Sequence, residues 1–244
     1  LEIHYDGDLP ARSGVGSSSA FVVGLMNIFC NIQGKKISKK NLAKKSIIFE
    51  QKILNEIVGS QDQVASVYGG FNKIKFKING DFTVKKINLN KNKMETLNKN
   101  LLLVYTGYRR TAHDIAKSYV NKLKGAKEKN ILKILSFVEE GEKILKNGNL
   151  NDFGKLLHES WLEKKGLSSA ISNSSIDEIY NIAINNGALG GKLLGAGGGG
   201  FFLFYVPYYM KKYFINKFTK FINVPFKFSS QGSEILFKNK VDKN

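Results

Sequence analysis

Hydrophobic and polar positions alternate at the start of the chain. Leu1, Ile3 and Tyr5 are apolar while Glu2 and His4 are polar, a period of two that predicts a strand. Beyond a glycine- and serine-rich stretch, residues 17–31 are apolar nearly all round, which predicts a buried helix. A sharper helical period follows over 39–57. At about 100° per residue, Leu42, Ala43, Ser46, Ile47, Phe49, Ile53, Leu54 and Ile57 share one arc, and Lys44, Lys45, Gln51, Lys52 and Asn55 lie opposite. Alternating runs at 71–78 and 82–89 predict strands. The polar run 90–100 predicts a linker, with a domain boundary dividing 1–95 from 101–244. Residues 101–106 read as a buried strand, and helices are expected near 111–123, 127–146, 150–163 and 175–186, with Trp161 in the core. A glycine-rich segment, 187–200, leads into the apolar run 201–206. Strand, glycine loop, strand describes a hairpin whose mobile tip can close over a neighbouring site. A helix at 208–221, strands near 225–229 and 233–237, and a frayed polar tail complete the pattern.

The candidate chemistry starts in Pro10-Ala11-Arg12-Ser13-Gly14-Val15-Gly16-Ser17-Ser18-Ser19-Ala20. Strand, glycine-serine loop and helix is the order in which backbone N–H groups at a helix N-terminus cradle phosphate. Serine hydroxyls there can donate to phosphate oxygens or bind a hard cation. A plain N-cap is the bland alternative; two glycines and three consecutive serines favour the phosphate loop. It is not a Walker A loop, because G-x-x-x-x-G-K-[ST] is absent. Glu50 falls in the middle of the apolar arc, where a carboxylate is costly unless a cation or strong donors meet it; the alternative is a head group reaching water at the edge of the packed face. Gly59 is expected to end that helix and Ser60 to cap the next. Asp62 is either an acid favoured by a helix dipole or a base facing a substrate hydroxyl. Gly107 to Asp114 sets Arg109 and Arg110 beside a helix start. Gly195, Gly197 and Gly200 spell G-x-G-x-x-G, yet a strand follows them and no acid lies about 20 residues on, so the Rossmann reading fails. His4, His113 and His158 show no metal-ligand spacing.

Composition narrows the classes. The chain has 244 residues, 42% of them hydrophobic, enough for a proper core. Its net charge of +18 suggests nucleic acid, but all except three of the 38 basic residues are Lys, scattered along the chain. Arg, the side chain suited to bidentate base and phosphate contacts, is nearly unused, so no nucleic-acid partner is expected. No run approaches the ~18 apolar residues of a membrane helix, and no membrane partner is expected. The single Cys30 excludes a disulfide framework and points to a cytoplasmic setting. The first residue is Leu and already lies in the expected strand, so a preceding portion is expected to be missing.

Taken together, these stretches resemble the GHMP kinase superfamily. Pro10 through Ala20 is similar to its P-x-x-x-G-L-G-S-S-A phosphate loop, with Val15 for Leu and Ser19 for Ala. Lys192 through Gly200 is similar to its K-x-x-G-A-G-x-G-G motif. Glu50 and Asp62 fall where the family's sugar kinases place a magnesium-binding Glu and a catalytic Asp. Asp8-Leu9-Pro10, Gly59-Ser60-Gln61-Asp62-Gln63 and Tyr105-Thr106-Gly107 resemble the bacterial branch acting on D-glycero-D-manno-heptose 7-phosphate. The family's first N-terminal motif has no counterpart here.

The resemblance implies an α+β fold of two domains, a ribosomal-S5-like N-terminal unit truncated at its start and a ferredoxin-like C-terminal unit. It implies ATP-dependent phosphorylation of the anomeric hydroxyl of a sugar phosphate. ATP would rest on Pro10, Gly14, Val15, Gly16, Ser17, Ser18, Ser19, Gly197 and Gly198. Mg2+ would lie between Ser18 and Glu50, and Asp62 would act on the acceptor. Gly59 and Gln61 are expected at the substrate, as are Arg12, Arg109 and Arg110, the arginines by bidentate pairing with its phosphate. A homodimer is compatible with this. The rival readings are another sugar kinase of the fold, of fucokinase or galactokinase type, or a non-catalytic sugar and nucleotide sensor.

Overall fold

The structure, a computed structural model, describes residues 2–10, 13–108, 112–121, 123 and 125–237, with the backbone alone for 112–114. Helix α1 (Ser17–Ile32) packs against α2 (Lys39–Ile48) and α3 (Gln61–Tyr68), and a hairpin of β1 (Asn72–Phe76) and β2 (Phe82–Lys86) covers them. Val23, Leu42, Ala43, Val64, Val67 and Phe82 form their shared core. The expected burial of α1 on all sides is corrected: Val22, Val23 and Cys30 are buried, but Phe21, Ile28 and Ile32 are exposed. An apolar composition nearly all round does not by itself bury every face of a helix. The expected N-terminal strand is also absent. Residues 2–8 are exposed and make no ladder, and Tyr5 instead meets the Phe21 ring edge-on at 5.0 Å.

The helix expected to run to residue 57 stops sooner. After Ile48 it widens into a π turn, Phe49–Ile53, closed by Leu54 N–H donating to the Phe49 carbonyl at 2.9 Å. Asn55 then adopts a left-handed conformation (φ 54°) and lets the Glu56 N–H reach back to the Glu50 carbonyl at 3.0 Å. Asn follows Gly in its tolerance of that region, so Asn55 and not Gly59 ends the helix. The turn leaves Ile53 and Leu54 exposed, while Leu42, Ser46 and Glu50, spaced by four, keep one buried line.

The second part is built on two nearly unbroken apolar runs, the mark of strands covered on both faces. Helix α4 (Lys91–Asn100) leads into β3 (Leu101–Tyr105). Helices α5 (Ala112–Val120), α6 (Glu128–Asn147), α7 (Leu150–Lys165) and α8 (Ser174–Asn185) follow, with a 3₁₀ turn at Ser169–Ile171. Then come β4 (Gly190–Leu193), β5 (Phe201–Tyr205), α9 (Tyr208–Lys217) and β6 (Ile222–Val224). The sheet is antiparallel in the order β4-β5-β3-β6, the split βαβ arrangement of a ferredoxin-like unit. Trp161, Tyr180, Phe202, Phe204, Phe214 and Phe218 fill its core. The polar run 90–100 is therefore a helix rather than a linker. Asn90 caps it by accepting from the Lys93 N–H at 2.8 Å, and Leu97 anchors it in the core. The strands expected at 225–229 and 233–237 do not form. The chain after Val224 bonds to helices and a turn instead: Gly70 N–H donates to Ser229 O, Ser233 N–H to Ser66 O, and the side chains of Asn98 on α4 and Asn27 on α1 donate to Phe226 and Ser233.

One charged cluster ties the hairpin to the helices. Glu142 of α6 accepts from Lys73 (2.8 Å) on β1, Lys85 (3.1 Å) on β2 and Lys146 (2.6 Å). Lys146, Lys73 and Lys85 together hold its carboxyl well below the usual carboxylate range. A depressed folded pKa contributes stability above the unfolded Glu value, and that contribution is lost as pH falls through and below it. Thermal melts between about pH 6 and about pH 3 should therefore show a steeper loss for the wild type than for Glu142→Gln. Parallel losses would show that the cluster contributes nothing.

Candidate active site

The loop before α1 turns on two glycines with positive φ, Gly14 (78°) and Gly16 (76°). Gly16 is the N-cap of α1 and brings no capping side chain. The first intrahelical bond is Ala20 N–H to Gly16 O. The amides of Ser17, Ser18 and Ser19 thus find no acceptor among the described residues, and they open the positive end of a 16-residue helix. Such an end is an anion site in waiting.

Two acids approach this end. Glu50 is only 2% exposed, so its head group does not reach water at an edge. Strong protein donors meet it: Ser19 Oγ donates to Oε1 at 3.1 Å, and Gln63 Nε2 donates to Oε2. Asp62, in the first turn of α3, stands beside Gly16 so closely that a Cβ at Gly16 would lie 3.3 Å from its Cγ. Burial raises the Asp62 pKa above the usual value, and a hydrogen bond with the Gln61 side chain offsets part of the rise. The cavity between these groups holds about 470 Å³, the size of a small-ligand site. Its far wall is the glycine turn after β4, Leu194 to Gly197 with Gly199. That turn already rests on the phosphate loop: a Cβ at Gly195 would come within 2.7 Å of the Gly14 Cα. No group of three or more His, Cys, Asp or Glu that could hold a metal occurs among the described residues.

Comparison with known proteins fits this geometry. The profile of the GHMP kinases N terminal domain matches residues 1–70, and that of the GHMP kinases C terminal domain matches 142–208, together more than half of the chain. The chain belongs to the GHMP kinase family. It is 34% identical over 209 residues to a D-glycero-alpha-D-manno-heptose 7-phosphate kinase from Campylobacter jejuni, covering 84% of this chain and 61% of that protein. It is 27% identical over 206 residues to the bifunctional fucokinase/GDP-fucose pyrophosphorylase of Arabidopsis thaliana, covering 80% of this chain and 19% of that protein. The crystal structure of a D-glycero-D-manno-heptose 1-phosphate kinase from Bacteroides thetaiotaomicron superposes with a TM-score of 0.69 at 25% identity, over 92% of this chain and 64% of that one. The chain thus spans about three fifths of the length of these heptose kinases. The two-domain GHMP kinase fold, with mixed helices and sheets, is the one described above.

Of the residues singled out from the sequence, Gly14, Gly16, Ser17, Ser18, Ser19, Glu50, Gly59, Gln61, Asp62 and Gly197 line the GHMP kinase cavity. Pro10, Val15 and Gly198 do not. Gly198 has its N–H committed to the Ile171 carbonyl at 2.8 Å. The serine hydroxyl on Glu50 belongs to Ser19, while Ser18 is exposed on the cavity wall. Arg12, Arg109 and Arg110 lie outside the described residues. Sequence reading missed Glu56, Ile57 and Val58, which the early helix stop turns into the cavity, and Ala116 and Tyr119, which α5 brings in. It also missed Gln63, whose signal was its place next to Asp62, facing the line of Glu50. No helix among the described residues is long and apolar enough to cross a membrane.

Two glycine substitutions separate need from chance. Gly16→Ala meets both a left-handed backbone and the Asp62 side chain, and should cost at least about 1–2 kcal/mol in urea unfolding. Gly59 has no positive φ, and a Cβ there would meet nothing within 4 Å. Gly59→Ala should be neutral or stabilise by about 0.4–1 kcal/mol. Equal losses at both positions would contradict the loop geometry.

Proposed function

We propose that the chain carries the catalytic machinery of an ATP-dependent kinase acting on the anomeric hydroxyl of a sugar phosphate. D-glycero-D-manno-heptose 7-phosphate is the acceptor and the 1,7-bisphosphate the product. The observation that carries the reading is the Asp62 carboxylate standing against Gly16, beside three amides at the start of α1 that meet no acceptor among the described residues. Phosphate oxygens of ATP would take hydrogen bonds from those amides, so the reacting phosphorus lies close to Asp62. Asp62 would orient the acceptor hydroxyl and take its proton. Burial raises its pKa, which makes it a stronger base than a carboxylate in water. Phosphoryl transfer asks the protein mainly for positioning and charge stabilisation, and both are supported here.

The residues present fit a hard cation. Each Glu50 oxygen keeps a lone pair beyond the donor it already meets. Gln63 Oε1 is buried and meets no hydrogen-bond donor among the described residues, and Ser18 lines the cavity together with Glu50. Glu50 and Ser18 would hold Mg2+, with Glu50 oriented by Ser19 and Gln63. A hard cation held there would supply charge neutralisation at the phosphate oxygens.

The acceptor rests on the relative from Campylobacter jejuni. The likeness to the plant fucokinase favours a second reading, in which a free sugar is the acceptor. ATP consumption by the full-length protein with heptose 7-phosphate, heptose 1-phosphate, free heptose, fucose and mevalonate decides between them. Turnover fastest on heptose 7-phosphate, with slower turnover on free heptose, is the expected result; preference for fucose would move the assignment, and none with any acceptor would leave the sensor reading. On the productive acceptor, Arg109→Ala should lose more activity with the phosphorylated sugar than with the free one, and equal losses would remove Arg109 from phosphate recognition.

Asp62→Asn should lower kcat by about 10²–10⁴-fold while ATP still binds. Because burial penalises the carboxylate, this variant should melt at or above the wild-type temperature. The acid limb of wild-type kcat/KM should lie above the pKa of an ordinary Asp and vanish in Asp62→Asn. Near-normal turnover in the variant would exclude Asp62 from the chemistry.

A further inference from the structure

Lys164, at the end of α7 and not among the residues lining the cavity, reaches to the backbone of the glycine turn. Its Nζ donates to the Leu193 carbonyl at 2.8 Å and to the Gly195 carbonyl at 2.6 Å, and it rides over the Trp161 ring at 5.9 Å from the centroid. A trans peptide is planar, so a carbonyl and the following N–H point in opposite directions. Two consequences follow. With the Leu193 carbonyl facing Lys164, the Leu194 N–H faces β5, where it donates to Phe201 O at 2.8 Å. With the Gly195 carbonyl facing Lys164, the Ala196 N–H faces the opposite way. Ala196 lines the cavity, and its N–H meets no acceptor among the described residues.

We infer that Lys164 is a positioning residue that holds the Gly195–Ala196 peptide so that the Ala196 amide presents a hydrogen-bond donor to the phosphate groups of the bound nucleotide. The inference rests on the kinase reading for the identity of that anion. It assigns to Lys164 a task done through the backbone, from outside the cavity it serves. The electrostatics agree with an anion on the other side of the turn. Desolvation and the neighbouring Lys192 cation pull the Lys164 pKa down to about 7, and neither lysine has a carboxylate partner among the described residues. A polyanion placed across the turn relieves that repulsion.

The test uses a non-hydrolysable ATP analogue with Mg2+, titrated into the full-length protein by calorimetry. Lys164→Met keeps the stem over Trp161 and removes the donors. It should bind the analogue about 10-fold more weakly, the scale of one charge-assisted hydrogen bond. In turnover the loss should appear in the KM for ATP, with kcat and the KM for the acceptor within about 3-fold of wild type. Lys164→Arg should recover most of the affinity. Unchanged nucleotide affinity in a folded Lys164→Met overturns the inference, as does an equal loss in Lys164→Arg. A second measurement needs no variant: hydrogen exchange over 194–200 in the wild type should slow on adding the analogue, and unchanged exchange with the analogue bound overturns the inference alone. A wild type that does not bind the analogue at all removes the kinase reading with it.

Discussion

Backbone packed directly on backbone holds the two walls of the cleft together. A Cβ at Gly195 would lie 2.7 Å from the Gly14 Cα, and one at Gly200 would lie 2.1 Å from the Ser13 carbonyl oxygen. At these two contacts backbone meets backbone, so no rotamer change can take up an error in their spacing. The turn is in turn fixed to the second sheet. Leu194 N–H donates to Phe201 O, Gly200 N–H to Tyr108 O, and Thr106 donates to Gly200 O through both its amide and its hydroxyl. The start of α1 therefore inherits its position from strands more than eighty residues away in sequence.

The second constraint is the buried polar knot of Ser19, Glu50 and Gln63. A carboxylate taken out of water is costly unless each oxygen is satisfied, and removing one partner exposes the full cost. Here the donors come from two helices and the acceptor from a π turn between them, so the knot fixes how α1, α2 and α3 meet. A hydrophobic residue at position 50 would make a simpler core. Retaining an acid there, within reach of the open end of α1, is understandable if the carboxylate serves a bound cation. The same helices carry Asp62 to Gly16, so structural and proposed chemical roles share one set of contacts.

Legibility in the sequence followed the physics of each element. Leu101–Tyr105 and Phe201–Tyr205 were readable because strands covered on both faces are apolar throughout, and the helices from α6 to α8 because their periods are long and regular. Glu50 announced itself as a carboxylate inside an apolar arc. Where reading failed, a tertiary contact had overridden the local pattern. The polar run 90–100 is helical because Asn90 caps it and one side chain, Leu97, finds the core. The segment after Val224 has a strand-like alternation, but its partners are helices and the turn after α3, not a sheet. The helix stop at Asn55 was hidden because Asn reaches the left-handed region less readily than Gly, and Gly59 was the more obvious signal. Lys164 carried no signal at all, since its partners are carbonyl groups and a carbonyl has no letter in the sequence.

The central claim is that the open end of α1, the Glu50 carboxylate and Asp62 serve one bound nucleotide and its acceptor. A crystal structure of the full-length protein with a non-hydrolysable ATP analogue, Mg2+ and the acceptor sugar tests it most directly. The account predicts phosphate oxygens on the amides of Ser17, Ser18 and Ser19, with an Asp62 oxygen in hydrogen-bond reach of the acceptor hydroxyl. Phosphates bound elsewhere, or Asp62 turned away from the acceptor with the nucleotide in place, would contradict it.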